Sequence, residues 1–285
     1  MESKNLLGQF IPLHYHHNML LDKNRMGGFK TAINQVVQEG ATVVELGGGT
    51  GVLSFFAAQK AKKVYYVEYN PALVEEARRI LAKNNNGDRV ELINADATIY
   101  TPPEKIDVVI CEMLHVALLR EKQLEVIDAF KKNYSAAHEG ALPLFIPFAT
   151  LQAVQPVHHP YDFHGYMADI MMFNDPYSEY PELTQLGDPV VYQQFMYDQP
   201  FGLRIEWSGE MPVNTTGQVN ALRFITKNLL SVEEGTNTIT DWSNQYLILP
   251  LGRSLDVKAG DVLTIDFAYD SGAPLTDLKP NVAVK

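Results

Sequence analysis

The sequence predicts an α/β domain with a parallel sheet over residues 1–148, followed by an all-β, barrel-like domain over 149–285. Three observations carry this: apolar strands alternating with amphipathic helices in the first half, a change to period-two patterning in the second, and two prolines bracketing an apolar stretch at the join, Pro143-Leu144-Phe145-Ile146-Pro147. Thr42–Leu46, Lys63–Glu68, Val90–Asn94 and residues 107–111 read as strands. Residues 52–59, 72–84 and 121–134 have helical spacing between them. Strand–helix alternation at this pitch gives βαβ units and a parallel sheet covered on both faces, whose strands are continuously apolar, as in Val108-Val109-Ile110. In the second half, residues 201–208, 218–225, 245–251 and 262–269 alternate apolar with polar residues. Turn sequences at Asn214-Thr215-Thr216-Gly217, Glu234-Gly235 and Ala259-Gly260-Asp261 separate them, a pattern of antiparallel sandwiches and barrels. Residues 161–180, rich in Tyr, Met, Phe and Asp, read as an irregular excursion packed on the core, or as a subunit-contact or substrate-capping element.

Bulk properties narrow the function. With 285 residues and 46% hydrophobic residues the chain has ample core. No apolar run approaches the ~20 residues that cross a bilayer, and no signal-like segment follows the opening Met-Glu-Ser-Lys-Asn, so no membrane partner or export is expected. A single cysteine, Cys111, fits a reducing cytoplasm. The formal charge of −11 argues against broad nucleic-acid binding, which needs a basic surface, and permits attraction of cationic substrates. His14, His16 and His17 cluster, as do His158 and His159, but without zinc-site spacing, so no metal is expected. No Gly-x-Ser-x-Gly elbow is present.

The strongest local signal is Val43-Val44-Glu45-Leu46-Gly47-Gly48-Gly49-Thr50-Gly51. A buried strand runs into a turn without side chains, and a helix follows. Glycine lets backbone approach a ligand closely, and the helix N-terminus adds unpaired N–H groups. The third glycine, Gly51, comes one residue too early for the dinucleotide pattern Gly-x-Gly-x-x-Gly. The second strand, Val64-Tyr65-Tyr66-Val67-Glu68, ends in a carboxylate placed to accept hydrogen bonds from ribose hydroxyls. Asn94-Ala95-Asp96-Ala97 follows the third strand.

Glu45 with Gly47, Gly49 and Gly51, then Glu68, then Asp96 and Ala97, resemble the cofactor motifs of class I methyltransferases, which implies a Rossmann-like domain binding S-adenosylmethionine. Three further segments resemble the protein arginine methyltransferases. In His16-His17-Asn18-Met19-Leu20-Leu21-Asp22-Lys23-Asn24-Arg25, similar to that family's pre-core helix, the resemblance implies that Arg25 grips the cofactor carboxylate and Met19 packs near the sulfonium. Glu112 and Glu121, nine residues apart, match the family's double-glutamate hairpin. Two carboxylates suit a guanidinium because they bind it, aim one nitrogen at the methyl group, and draw charge onto the others. Glu121 also reads as the first residue of a helix. Thr240-Asp241-Trp242 is similar to the family's Thr-His-Trp, implying that Trp242 walls the substrate pocket, and Pro147 matches an interdomain proline that is often cis. The resemblance spans about residues 16–269 and implies a homodimer.

Departures fall on the acceptor side. Leu6-Leu7-Gly8-Gln9-Phe10 lacks both tyrosines of a Tyr-Phe-x-x-Tyr element, Leu114, His115 and Val116 replace aromatic and glycine residues, and Asp241 replaces histidine. The leading expectation is therefore methyl transfer to a cationic nitrogen in a protein or peptide, held by Glu112 and Glu121. The alternative is a small-molecule N- or O-methyltransferase on the same scaffold, with His115 or Asp241 as general base. A cofactor-binding protein without catalysis is a third reading, against which the intact glycine turn and Glu112 speak.

Overall fold

The computed structural model describes residues 11–233 and 235–285. The Leu6–Phe10 departure and Glu234 of the Glu234-Gly235 turn lie outside them. The first half comprises α1 (Leu13–Leu21), α2 (Lys23–Val36), β1 (Thr42–Leu46), α3 (Val52–Ala57), β2 (Lys63–Glu68), α4 (Pro71–Leu81), β3 (Val90–Asn94), β4 (Val108–Cys111), α5 (Gln123–Ala137) and β5 (Leu144–Ile146). Their strands form one parallel sheet in the order β3-β2-β1-β4-β5. β1 and β4 are buried at every residue, as parallel strands covered on both faces must be.

This order reverses direction between β1 and β4, the crevice where such sheets bind ligands. Leu46 pairs with Cys111, so the glycine turn after β1 and Glu112 after β4 leave the sheet side by side. The segment expected as a single pre-core helix is two: α1 ends at Leu21, and the Asp22 side chain accepts from the Arg25 backbone N–H at 2.9 Å to cap α2. That break turns Arg25 back toward the sheet.

The second half contains β6 (Ala149–His158), β7 (Asp162–Phe163), β8 (Tyr166–Met167), β9 (Met172–Asn174), β10 (Thr184–Gln185), β11 (Val190–Met196), β12 (Arg204–Pro212), β13 (Gly217–Val232), β14 (Ile239–Ser243), β15 (Tyr246–Val257), β16 (Val262–Asp270) and β17 (Asn281–Val284). Long β13 is its spine, pairing antiparallel with β6, β14 and β15 in a seven-stranded sheet; β12, β16 and β17 form a second sheet. Among the described residues the two sheets do not join into one hydrogen-bonded ring, so the expected barrel is a half-barrel. Its apolar interior, including Leu222, Phe224 and Phe267, is continuous with Val43, Val44 and Ile110 of the first half. The Ile146–Pro147 peptide between the halves is cis. No helix among the described residues is long and apolar enough to cross a membrane.

Candidate functional site

A cavity at the sheet crevice is lined by the glycine turn, Glu45, Glu68, Asp96 and Ala97 on one side. His16, Met19 and Arg25 of the N-terminal helices and Glu112 and Glu121 complete its wall. The cofactor-side residues named from sequence thus meet around one space, except Gly51, which lies behind it: a Cβ there would meet Leu81 of α4 at 3.1 Å.

The turn is built for close approach. Gly47 has φ +78°, and its absent Cβ would lie 2.9 Å from Met113 Cγ. A Cβ on Gly48 would fall 2.2 Å from the ring of Tyr66, which is fully buried and donates through its hydroxyl to Gly49 O at 2.6 Å. A packed aromatic ring cannot yield that space. Gly48→Ala is therefore expected to destabilise the fold by about 1–3 kcal/mol, the usual cost of overpacking, and to weaken cofactor binding at the same turn. Thermal unfolding and titration calorimetry check this; an unchanged melting temperature would contradict the packing.

One carboxylate braces the turn and a second braces the helix that follows it. Glu68 accepts from Gly49 N–H at 3.1 Å and, through its other oxygen, from Asn70 N–H at 2.8 Å. Glu45 is buried, and one of its oxygens accepts from the Ser54 N–H at 2.8 Å and from the Ser54 hydroxyl. Burial, opposed by those bonds, pushes its pKa up to about 8. That oxygen serves the first turn of α3 rather than a ligand. Asp96 closes its own turn by accepting from Thr98 N–H and Oγ1 at 2.8 and 2.7 Å.

Opposite the turn, the His16 ring abuts Gly49, and His16 Nε2 and Arg25 Nε are buried without partners. Leaving a buried donor or acceptor unpaired costs about 1–3 kcal/mol. Unpaired nitrogens on two residues that line the same cavity as the carboxylate of Glu68 fit a zwitterionic nucleoside such as S-adenosylmethionine. Burial and then the Arg25 charge lower the His16 pKa. The sequence named His16 only as part of a motif.

The acceptor side is organised by the loop from β4 to α5. Glu112 forms an ion pair with the Arg25 guanidinium, with side-chain exposures of only 8% and 13%; burial raises the Glu112 pKa, and Arg25 opposes it. Glu121 opens onto the cavity and is half-buried there. Burial first, then the Glu112 charge, push its pKa to about 7. Glu121 is not in a helix: α5 starts at Gln123, because Arg120 takes φ +65°. Ala117 and Leu118 also lie at φ +57° and +53°. Left-handed backbone without glycine costs on the order of 1–3 kcal/mol per residue and persists only where surroundings over-determine it.

Those surroundings are specific. Buried Gln123 donates to Cys111 O at 2.8 Å and accepts from Met113 N–H at 2.9 Å, bracketing Glu112. Gly272 N–H donates to Leu118 O, and Arg120 N–H to Ala273 O, both at 2.8 Å. Asn244 and Thr226 of the β half hold Leu114 O and Ala117 N–H. The sequence carried no sign of these anchors.

Trp242 reaches the site through Arg25 instead of walling the cavity: its ring lies 5.4 Å from the guanidinium carbon and packs on Phe29, outside the lining. Arg25 is thereby held between an aromatic face and a carboxylate. Asp241 turns outward to Lys227 at 2.9 Å. His115 packs edge-on against Phe173 of β9, with centroids 5.6 Å apart, and burial pushes its pKa down to about 4. Through Phe173, the 161–180 segment adjoins the glutamate loop. Its other end leaves Tyr166, Met167 and Ile170 exposed.

Comparison with known proteins places the chain near methyltransferases. Residues 43–134 match a family model described as a methyltransferase domain. An uncharacterized protein of Methanocaldococcus jannaschii is 28% identical over 268 residues, covering 94% of this chain and 96% of that protein. The protein arginine N-methyltransferase PRMT10 of Arabidopsis thaliana is 27% identical over 241 residues, 81% of this chain; the chain spans only 62% of that relative's length. Among solved structures, a Trypanosoma brucei PRMT1 enzyme–prozyme heterotetrameric complex with AdoHcy superposes with TM-score 0.74 at 15% identity, covering 96% of this chain and 98% of that one.

Proposed function

We propose that this S-adenosylmethionine-dependent methyltransferase, which resembles the protein arginine methyltransferases, transfers a methyl group to a cationic nitrogen held by Glu112 and Glu121, with arginine in a protein or peptide as the favoured acceptor. One observation carries the reading. A guanidinium, that of Arg25, already rests on Glu112 over the Trp242 ring, in the field of Glu121.

In this reading the glycine turn, Glu68, Asp96, His16 and Met19 hold the cofactor, which supplies an electrophilic methyl group on a cationic sulfur. Arg25 lines the same cavity and suits the cofactor's carboxylate, since a guanidinium binds carboxylate with a planar fork. Turning to it, Arg25 leaves Glu112 to the acceptor. Glu112 and Glu121 then fix the acceptor's orientation and localise its charge, so that positioning and electrostatics supply most of the rate. Glu121, with a pKa near neutrality, takes the proton that the nitrogen releases.

The small-molecule alternative loses its two general-base candidates. A base works best with a pKa near the operating pH; His115 lies near 4, and Asp241 is engaged by Lys227.

The test is transfer of a labelled methyl group from S-adenosylmethionine into two acceptor pools, an arginine-bearing glycine-rich peptide and the small-molecule fraction of a cell lysate. Label in the peptide, lost when its arginines become lysines, is the expected result. Label confined to the small-molecule fraction would overturn the acceptor assignment.

A further inference from the structure

We propose that Thr226 and Asn244, both from the β half, are positioning residues that set the placement of Glu112 and Glu121 by clamping the backbone between them. The proposal rests on the reading of those two glutamates as acceptor ligands. Neither residue lines the cavity. Each instead grips one point of the glutamate loop. The Ala117 N–H donates to Thr226 Oγ1 at 2.7 Å, and Asn244 Nδ2 donates to Leu114 O at 2.9 Å. Leu114 and Ala117 lie within the stretch joining Glu112 to Glu121, and Ala117 begins its left-handed section.

Each grip has its direction fixed from behind. The Thr226 hydroxyl donates to Gln152 Oε1 at 2.7 Å, which commits its proton and aims a lone pair at Ala117. Gln152 Oε1 also accepts from Tyr192 Oη at 3.4 Å, and Tyr192 meets Tyr269 at 2.9 Å. Asn244 Oδ1 accepts from Asn228 Nδ2 at 2.9 Å, and Asn228 Oδ1 accepts from Thr150 Oγ1 at 2.9 Å. The second bond to each side chain leaves it one orientation. Thr226, Asn228, Gln152 and Thr150 are all fully buried.

Stability alone gives little reason for such a network, because apolar residues of similar volume fill an interior as well or better. A strained loop gives a reason. Without the hydroxyl of Thr226, the buried Ala117 N–H loses its partner, and the backbone gains by leaving the left-handed region. Glu121 would then move relative to Glu112. A displacement of about 1 Å at such a site costs on the order of 100-fold in rate.

Thr226→Val keeps the shape and removes the hydroxyl; Thr226→Ser keeps the hydroxyl. With the full chain and the arginine-bearing peptide, Thr226→Val is expected to lower kcat/KM about 10- to 100-fold, with the cofactor Kd held within about twofold. Amide exchange across residues 113–121, followed by mass spectrometry, should accelerate in the valine variant. The serine variant should match wild type in both readouts. Asn244→Leu is expected to do the same from the Leu114 side, and it replaces Thr226→Val if the latter does not fold. Unchanged exchange and unchanged kcat/KM in a folded valine or leucine variant would overturn the proposal, as would a serine variant as impaired as valine. If Glu112→Gln keeps full turnover, the acceptor reading fails instead, and exchange across 113–121 alone decides the clamp.

Discussion

Glu112→Gln is expected to lower turnover by about 10³-fold, on the scale of deleting one preorganised electrostatic contact to a transition state, while the cofactor still binds. Glu112 follows β4 at the switch point of the sheet, with the backbone on either side of it held by Gln123. Glutamine keeps the shape and one acceptor oxygen but loses the charge that localises the acceptor's cation. The same change releases Arg25 from its ion pair. If Arg25 serves the cofactor carboxylate, affinity for S-adenosylhomocysteine stays within about threefold or tightens, because an internal competitor has gone; a shift of that size is about 0.7 kcal/mol. Calorimetric titration and single-turnover methyl transfer separate the two effects. Parallel loss of binding and turnover would show Glu112 to be a structural partner of Arg25 and nothing more.

The legible strands have a physical cause. Thr42–Leu46 and Lys63–Glu68 have the same bounds in the sequence pattern and in the structure, because parallel strands covered on both faces are mostly apolar. Val90–Asn94, at the edge of the sheet and buried at Val90 alone, follows from the strand–helix spacing instead. The β half was harder because its central strands are not apolar. β6 went unread: it carries Gln152, Gln155 and Pro156, and both glutamines are buried against partners that no sequence pattern announces, Thr226 for one and Arg223 for the other. β13 was cut short at residue 225, where Thr226, Lys227 and Asn228 look like the end of a strand. It runs on to Val232. Thr226 and Asn228 are buried polar residues of that missed part, and they belong to the chains that grip the glutamate loop. Polar residues that hold the site are thus what hid the strands carrying them. β5 was read only as a join, since three residues between prolines give no period.

The site divides along the same line. The cofactor wall follows from local sequence, since strand ends and a glycine turn place their own side chains. The acceptor wall depends on contacts between residues far apart in the chain. Two carboxylates nine residues apart gave no sign that Arg25 would sit on one of them. Nor did they reveal that three left-handed residues would turn the second inward, ahead of the helix it was assigned to. Trp242 packs on Arg25 and Phe29, contacts its motif does not announce, because aromatic residues near a site pack on its supports as readily as on its ligand.

Activity toward a cationic acceptor should rise with pH through about 7 and level off above 8. Burial and the neighbouring Glu112 raise Glu121 to about 7, so below that value its carboxyl is neutral and attracts a cation only weakly. A guanidinium stays charged throughout this range, so the change belongs to the protein, and kcat/KM should climb with the slope of one proton. Linkage fixes the sign for the ligand-free fold. A carboxyl whose folded pKa is raised contributes stability that is fully present below its unfolded value near 4.5 and is lost as pH rises through 7. The free protein is therefore expected to lose stability across the range in which it gains activity, and a bound cation to restore it. Glu121→Gln should flatten the activity curve to a low, pH-independent kcat/KM and make the melting temperature fall less steeply between pH 4.5 and 7, the remaining slope belonging to the other buried carboxyls, Glu45 and Glu112. A variant that kept the wild-type activity profile would move the titrating group elsewhere and leave Glu112 as the single acceptor carboxylate.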